Sequence, residues 1–276
     1  MCKILLIALF FGWNLFSQTD GQWRLAWSDE FDYDGLPDPG KWSYEHGFVR
    51  NNEPQYYTKG RAENAVVRGG MLIITARKEP FRNEFYNQKG TKVRNDSVAE
   101  YTSASLHTLG KRSVLYGRIE MRAKLPQGQG VWPAFWMKGT DNFEVGWPKC
   151  GEIDIMEYVG HDPETVHGTC HFVDNKQINH QSKGGTLSGV QPFDGFHIYA
   201  IEWDEHKIDF YFDTQKYFSF DTEMAQNEKE NPMQKPYYLL LNFAVGGSWG
   251  GKIDDENLPQ QYLIDYVRVY EKEKLQ

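Results

Sequence analysis

The segment GEIDIMEYVG, residues 151–160, sets three carboxylates, Glu152, Asp154 and Glu157, among Ile153, Ile155 and Met156. A short, branched and apolar run of this kind reads as a strand. In a strand, residues i and i+2 share a face, so Glu152 and Asp154 point the same way. Glu157 arrives one residue late, and strict alternation sends it to the opposite face. One extra residue in a β-bulge at Ile155-Met156 restores the parity and places all three acids on one surface. Like charges on one sheet face destabilise it, and their approach raises the pKa of at least one of them. One carboxyl is then protonated beside an ionised one near neutral pH, as a general acid and a nucleophile require. Retaining hydrolysis of a glycosidic acetal uses two such carboxyls about 5–5.5 Å apart. Asp154, lying between the two glutamates, would hold the nucleophile in orientation. On this segment alone, a solvated acidic edge or a metal site accounts for the same acids equally well.

Neighbouring segments favour a sugar-binding surface. In GQGVWPAFWMKG, Trp132 and Trp136 stand four apart and share a face if the segment is extended. Indole faces stack on the apolar faces of sugar rings by the contact that stacks aromatic groups elsewhere; core packing is the alternative for either one alone. Trp147, just before the acidic strand, is a third candidate. In VHGTCHF, His167 and His171 share a parity, so both can face the acids, and His171 is placed to bond a carboxyl or a sugar hydroxyl.

Strands must carry these groups. AVVRGGMLIITARK reads as a hairpin turning at Gly69-Gly70. In YGRIEMRAKL, Arg118, Glu120, Arg122 and Lys124 alternate with Ile119, Met121, Ala123 and Leu125. FHIYAIEWDEHKIDFYFDTQKYFSF reads as three strands with turns near Asp204-Glu205 and Asp213-Thr214, and YYLLLNFAV and QYLIDYVRVYE close the chain. A short helix within 222–230 is the one helical segment expected. Successive strands with almost no helix predict an all-β sandwich.

The chain has 276 residues, 15% of them aromatic, which suits one large all-β domain. Its formal net charge of −8 and lack of a basic block argue against nucleic acid, mildly disfavour a polyanionic substrate and fit a neutral partner. Lys3 followed by an apolar run to about Phe16 is too short to span a membrane and reads as a secretory signal peptide over residues 1–17. The expected mature unit is then a single catalytic domain over 18–276, secreted or periplasmic, with no membrane span and a monomer as default. Cys150 and Cys170 remain after cleavage and are free to pair or not.

In this order, WSDEFD, GVWPAFWM, GEIDIMEYVG, VHGTCHF, LNFAVGG and IDYVRVY resemble glycoside hydrolase family 16, nearest its bacterial laminarinases, over nearly the whole mature chain. The extra Met156 is similar to the bulged branch, which holds laminarinases, agarases and κ-carrageenases; lichenases and xyloglucan enzymes have the shorter spacing. The resemblance implies a β-jelly-roll sandwich of two antiparallel sheets with a concave glycan-binding cleft. It implies endo-hydrolysis of β-1,3-glucan (laminarin) with retention, Glu152 as nucleophile, Glu157 as acid/base and Asp154 assisting. Trp132, Trp136 and His171 match cleft positions, Asn52 and Arg77 look like sugar contacts, and Asn242 and Trp249 border the cleft. No cofactor is implied for catalysis. A structural calcium is implied, held by Glu30, the Gly70 carbonyl and Asp265, with pairing of the two acids to basic side chains as the alternative. Ser105 departs from the pattern, since related sequences often carry arginine there. Rival readings are hydrolysis of mixed-linkage glucan or agar, and a non-catalytic glucan-binding protein, whose kind typically lacks the acidic pair.

Overall fold

The computed structural model describes residues 23–87, 94–176 and 178–273. The expected signal peptide lies outside the described residues. In chain order the strands are β1 (Trp23–Asp29), β2 (Ser43–Tyr44), β3 (Gln55–Tyr57), β4 (Ala65–Val67), β5 (Leu72–Arg82), β6 (Val98–Ser103), β7 (Ser105–His107), β8 (Gly117–Lys124) and β9 (Val131–Gly139). They continue with β10 (Glu152–Glu157), β11 (Thr165–Val173), β12 (His180–Ser188), β13 (His197–Trp203), β14 (Lys207–Phe212), β15 (Gln215–Asp221), β16 (Tyr237–Val245) and β17 (Gln260–Lys272).

Two sheets stack. One runs β12-β11-β10-β9-β16-β7-β2; the other runs β15-β14-β13-β8-β17-β5-β6-β3, with β1 also on β17 and β4 also on β5. The sandwich expected from the sequence is therefore found. The pairings around the acidic strand are antiparallel. β3 joins β6 in parallel, which is possible because a long excursion through β4 and β5 separates them.

Alternation builds the core. Ile119, Met121 and Ala123 of β8 are fully buried, and Arg118 and Arg122 point away into ion pairs with Glu120, Glu202 and Asp265. In β9, Val131, Phe135 and Met137 join the main core, while Trp132, Ala134 and Trp136 form smaller clusters on the outer face. In β16, Tyr237, Leu239, Leu241, Phe243 and Val245 face inward, and Tyr238, Leu240, Asn242 and Ala244 face outward. Both faces of these central strands are covered, which explains their unbroken apolar appearance in sequence. Gly168 of β11 is required by this packing: a Cβ there would lie 2.5 Å from a Phe210 ring carbon of the facing sheet.

The Gly69-Gly70 hairpin forms between β4 and β5, with Val67 opposite Leu72. The expected helix is a single 3₁₀ turn, Thr222–Ala225, started by Asp221, whose carboxylate accepts the Glu223 N–H. Four more single turns, Asn142–Val145, Pro232–Gln234, Gly247–Gly250 and Asp255–Asn257, were not expected. None is long enough to show a helical period in sequence. Cys150 and Cys170 are both buried free thiols. Cys170 faces the core and His171 the outer side, as parity requires.

Candidate active site

The parity argument meets a direct observation in β10. Against β11, Glu152 pairs with His171 and Asp154 with Thr169, but Glu157 pairs with His167, so three steps on β10 match two on its neighbour. Against β9 the shift falls between Asp154–Trp136 and Met156–Phe135. The bulge sits at Ile155-Met156. Ile153, Ile155 and Met156 enter the core, and Glu152, Asp154 and Glu157 all line one cavity of about 280 Å³ on the other side. Gly151, with φ +76°, leads into the strand where a Cβ would lie 1.9 Å from the Tyr237 hydroxyl.

The cavity is also lined by Arg50, Asn51, Glu53, Trp132, Ala134, Trp136, Lys138, Trp147 and Asn242. Trp132 donates its indole N–H to Glu157 Oε1 at 3.0 Å. Trp136 donates to Asn242 Oδ1 at 2.7 Å; the Asn242 amide donates to the Tyr57 hydroxyl, which donates to Glu53. The two tryptophans share the cleft face as expected, but only 7% and 6% of their surface is exposed, so each presents a strip of ring held by its N–H bond rather than an open platform. Trp147 is the exposed one, at 45%.

His171 stands behind the acids rather than in the cavity lining. Its Nε2 lies 3.0 Å from Asp154 Oδ2, and its Nδ1 lies 2.8 Å from His180 Nε2. The rings of His171 and His180 stack at 5.0 Å, and Trp147 covers His180 at 4.7 Å. A proton on His171 Nε2, facing Asp154, leaves Nδ1 to accept from His180.

Burial dominates the electrostatics. It pushes Glu152 up to about 7, with the Asp154 charge adding and His171, Lys138 and Arg50 pulling down. Asp154 is pushed up by burial to about 8. Burial first, then Asp154, carries Glu157 well above the usual carboxylate range, against the Trp132 hydrogen bond. Glu152, the acid with cations beside it, ionises most readily. Glu157 keeps its proton.

Other expected positions fall differently. Asn52 is exposed on a left-handed turn that it forms with Asn51; it is Asn51 that lines the cleft, its amide donating to Glu53 at 3.1 Å. Arg77 belongs to β5 of the other sheet, where it faces Glu79 at 3.6 Å and does not line the cavity. Trp249 borders the cleft indirectly, edge-on to Trp132 at 5.5 Å and to His167 at 4.9 Å. Ser105 donates to Glu45 at 2.5 Å, and Glu45 pairs with Arg50. An arginine thus does reach the cleft, from position 50 rather than 105. Lys138, His180 and Arg50 were not anticipated. Lys138 had a signal, since it is in phase with Trp132 and Trp136.

The expected calcium ligands converge in topology: β17 meets β5 at Ile264–Leu72 and β1 at Val267–Asp29, on either side of Asp265. Their side chains, however, are engaged. Glu30 takes two hydrogen bonds from Arg268, at 2.9 and 2.8 Å, and Asp265 takes one from Arg122 at 2.6 Å. With guanidinium groups on both carboxylates, this donor set does not fit a calcium ion. Among the described residues, Glu152, Asp154 and His171 are the side chains that gather ligand atoms, all within 4.8 Å.

A family model, Glycosyl hydrolases family 16, matches residues 52–268. The chain belongs to glycosyl hydrolases family 16. A beta-glucanase of Rhodothermus marinus is 46% identical over 90% of this chain and 85% of its own length. The crystal structure of the laminarinase from Rhodothermus marinus superposes with a TM-score of 0.78 at 43% identity, covering 91% of this chain and 98% of that one. A structure from work on endo-acting O-glycanases with which human gut microbiota initiate mucin breakdown gives a TM-score of 0.86 at 36% identity, covering 92% of both chains. The family 16 fold here is therefore the jelly-roll sandwich of these enzymes, and the chain is a glycoside hydrolase.

Proposed function

We propose that this family 16 hydrolase cleaves β-1,3-glucan chains internally, with retention at the anomeric carbon. The observation that carries the reading is the bulge at Ile155-Met156, which brings Glu157 onto the face of Glu152 and Asp154. Glu157 gives its proton to the glycosidic oxygen as the Glu152 carboxylate attacks the anomeric carbon; the C–O bond breaks and a glycosyl-enzyme forms. Glu157, now ionised, takes a proton from water, whose oxygen displaces Glu152. Asp154, backed by His171, steadies the pair. Stacking on the exposed Trp147 and on the strips of Trp132 and Trp136 positions the sugars.

Similarity to a laminarinase supports the glucan assignment, and similarity to an O-glycanase structure defines the rival substrate class. Product analysis on laminarin beside lichenan, agarose and mucin O-glycans decides between them. Short β-1,3-linked oligosaccharides from laminarin support the proposal; release from mucin alone overturns it.

Export of a monomer through cleavage after residue 17 completes the reading and is checked by N-terminal sequencing of the secreted chain. The pairs Glu30–Arg268 and Asp265–Arg122 fasten the chain ends in this reading. A structural calcium would have to displace both arginines.

A further inference from the structure

Two cations flank the Trp136 ring. Arg50 Cζ lies 5.0 Å from its centroid and Lys138 Nζ lies 6.0 Å away. Both groups line the cleft. Stacking of a neutral sugar needs neither of them. Arg50 is held by its pair with Glu45, which is itself held by Ser105. Its Nη1 is nevertheless buried with no hydrogen-bond partner. Lys138 lies opposite Glu152 in the strand register, yet among the described residues no carboxylate oxygen comes within 4.0 Å of its ammonium. A free ammonium lining the cleft, with a guanidinium charge beside the same ring, favours an anion there.

Resting on the proposed glucan-hydrolase reading, we propose that the sugar unit stacked at Trp136 is one bearing an anionic substituent, a sulfate ester or a carboxylate, bound by Lys138 Nζ in the field of the Arg50 guanidinium beside the same ring. The formal charge of −8, which mildly disfavours a polyanionic substrate, acts on it only at long range. Solvent-exposed charges more than about 8 Å apart are largely screened at physiological salt, whereas donors in contact with the anion act inside that distance.

The test compares kcat/KM on neutral laminarin, lightly sulfated laminarin and lightly carboxymethylated curdlan for the wild type, Lys138→Leu and Lys138→Arg. The expected result is a substituted-to-neutral ratio that drops at least tenfold in Lys138→Leu, mainly through KM, and recovers in Lys138→Arg. Dependence on sulfate alone or on carboxylate alone identifies the anion. A ratio that does not move in Lys138→Leu, with laminarin still cleaved, overturns this proposal and leaves the glucanase reading standing. Calorimetric titration of the Glu152→Ser variant with neutral and sulfated laminari-oligosaccharides gives a readout without turnover. Tighter binding of the sulfated ligand, lost on adding Lys138→Leu, supports the proposal; equal affinity overturns it. Failure to bind either ligand overturns both readings.

Discussion

The indole N–H of Trp132 is donated to Glu157 Oε1 across 3.0 Å, from β9 to the residue just beyond the bulge of β10. The bond favours the ionised carboxylate, the form Glu157 reaches once it has protonated the leaving group. Trp132→Phe keeps a ring on the cleft wall and removes this donor. The alkaline limb of the kcat profile should then move upward, because Glu157 holds its proton more tightly, and kcat should fall about tenfold. An unchanged alkaline limb would mean that Glu157 is not the acid titrating there.

Glu152 is raised from its ordinary value of 4.5 to about 7. Activity needs it ionised, so kcat/KM should decline as pH falls below about 7. The same shift is a cost to the fold. Below about 4.5 the carboxyl is neutral in both states. As pH rises from there to about 7 the unfolded chain ionises first and stability is lost, fully so above 7. Glu152→Gln should therefore match wild-type stability at low pH and exceed it in alkaline buffer by ~3 kcal/mol. Denaturant unfolding at both pH values checks the sign; equal stability throughout would contradict the buried charge.

His180 reaches Asp154 only through His171, with contacts of 2.8 and 3.0 Å. Burial and His171 hold its own pKa low, so it stands neutral as a donor. His180→Phe retains the stack under Trp147 and removes the hydrogen bond. The expected outcome is a roughly tenfold lower kcat at unchanged KM, with an acid limb displaced from the wild type. A lower KM-only effect, with kcat intact, would make His180 a substrate contact instead.

Arginine partners on Glu30 and Asp265 carry a prediction about metal. Prolonged chelation should shift Tm by no more than about a degree and leave turnover unaltered. Glu30→Gln should cost only ~0.5–1 kcal/mol, since the pair is partly exposed. A large drop in Tm on chelation, reversed by calcium, would contradict the ion-pair account of the chain ends.

Much of the architecture was legible because period-two alternation leaves little choice of face. β8, β16 and the β13–β15 meander run where apolar alternation places them. Even the bulge followed from counting, since three acids could share a face in no other way. Asn51 and Asn52 were harder to separate: both adopt positive φ in one turn, and the turn decides which side chain enters the cleft. His180 was invisible for another reason. β12, HQSKGGTLS, is an exposed edge strand with no apolar face to mark its register. Arg50 lies in a loop, and only the loop's path onto Trp136 reveals its place.

The roles of Glu152 and Glu157 are tested most directly by azide rescue. Glu157→Ala should lose hydrolysis of laminarin while folding normally, and with an activated β-glucoside plus azide it should regain turnover and release the β-glycosyl azide. An α-glycosyl azide from that variant, or laminarin cleavage near the wild-type rate without azide, would contradict the assignment.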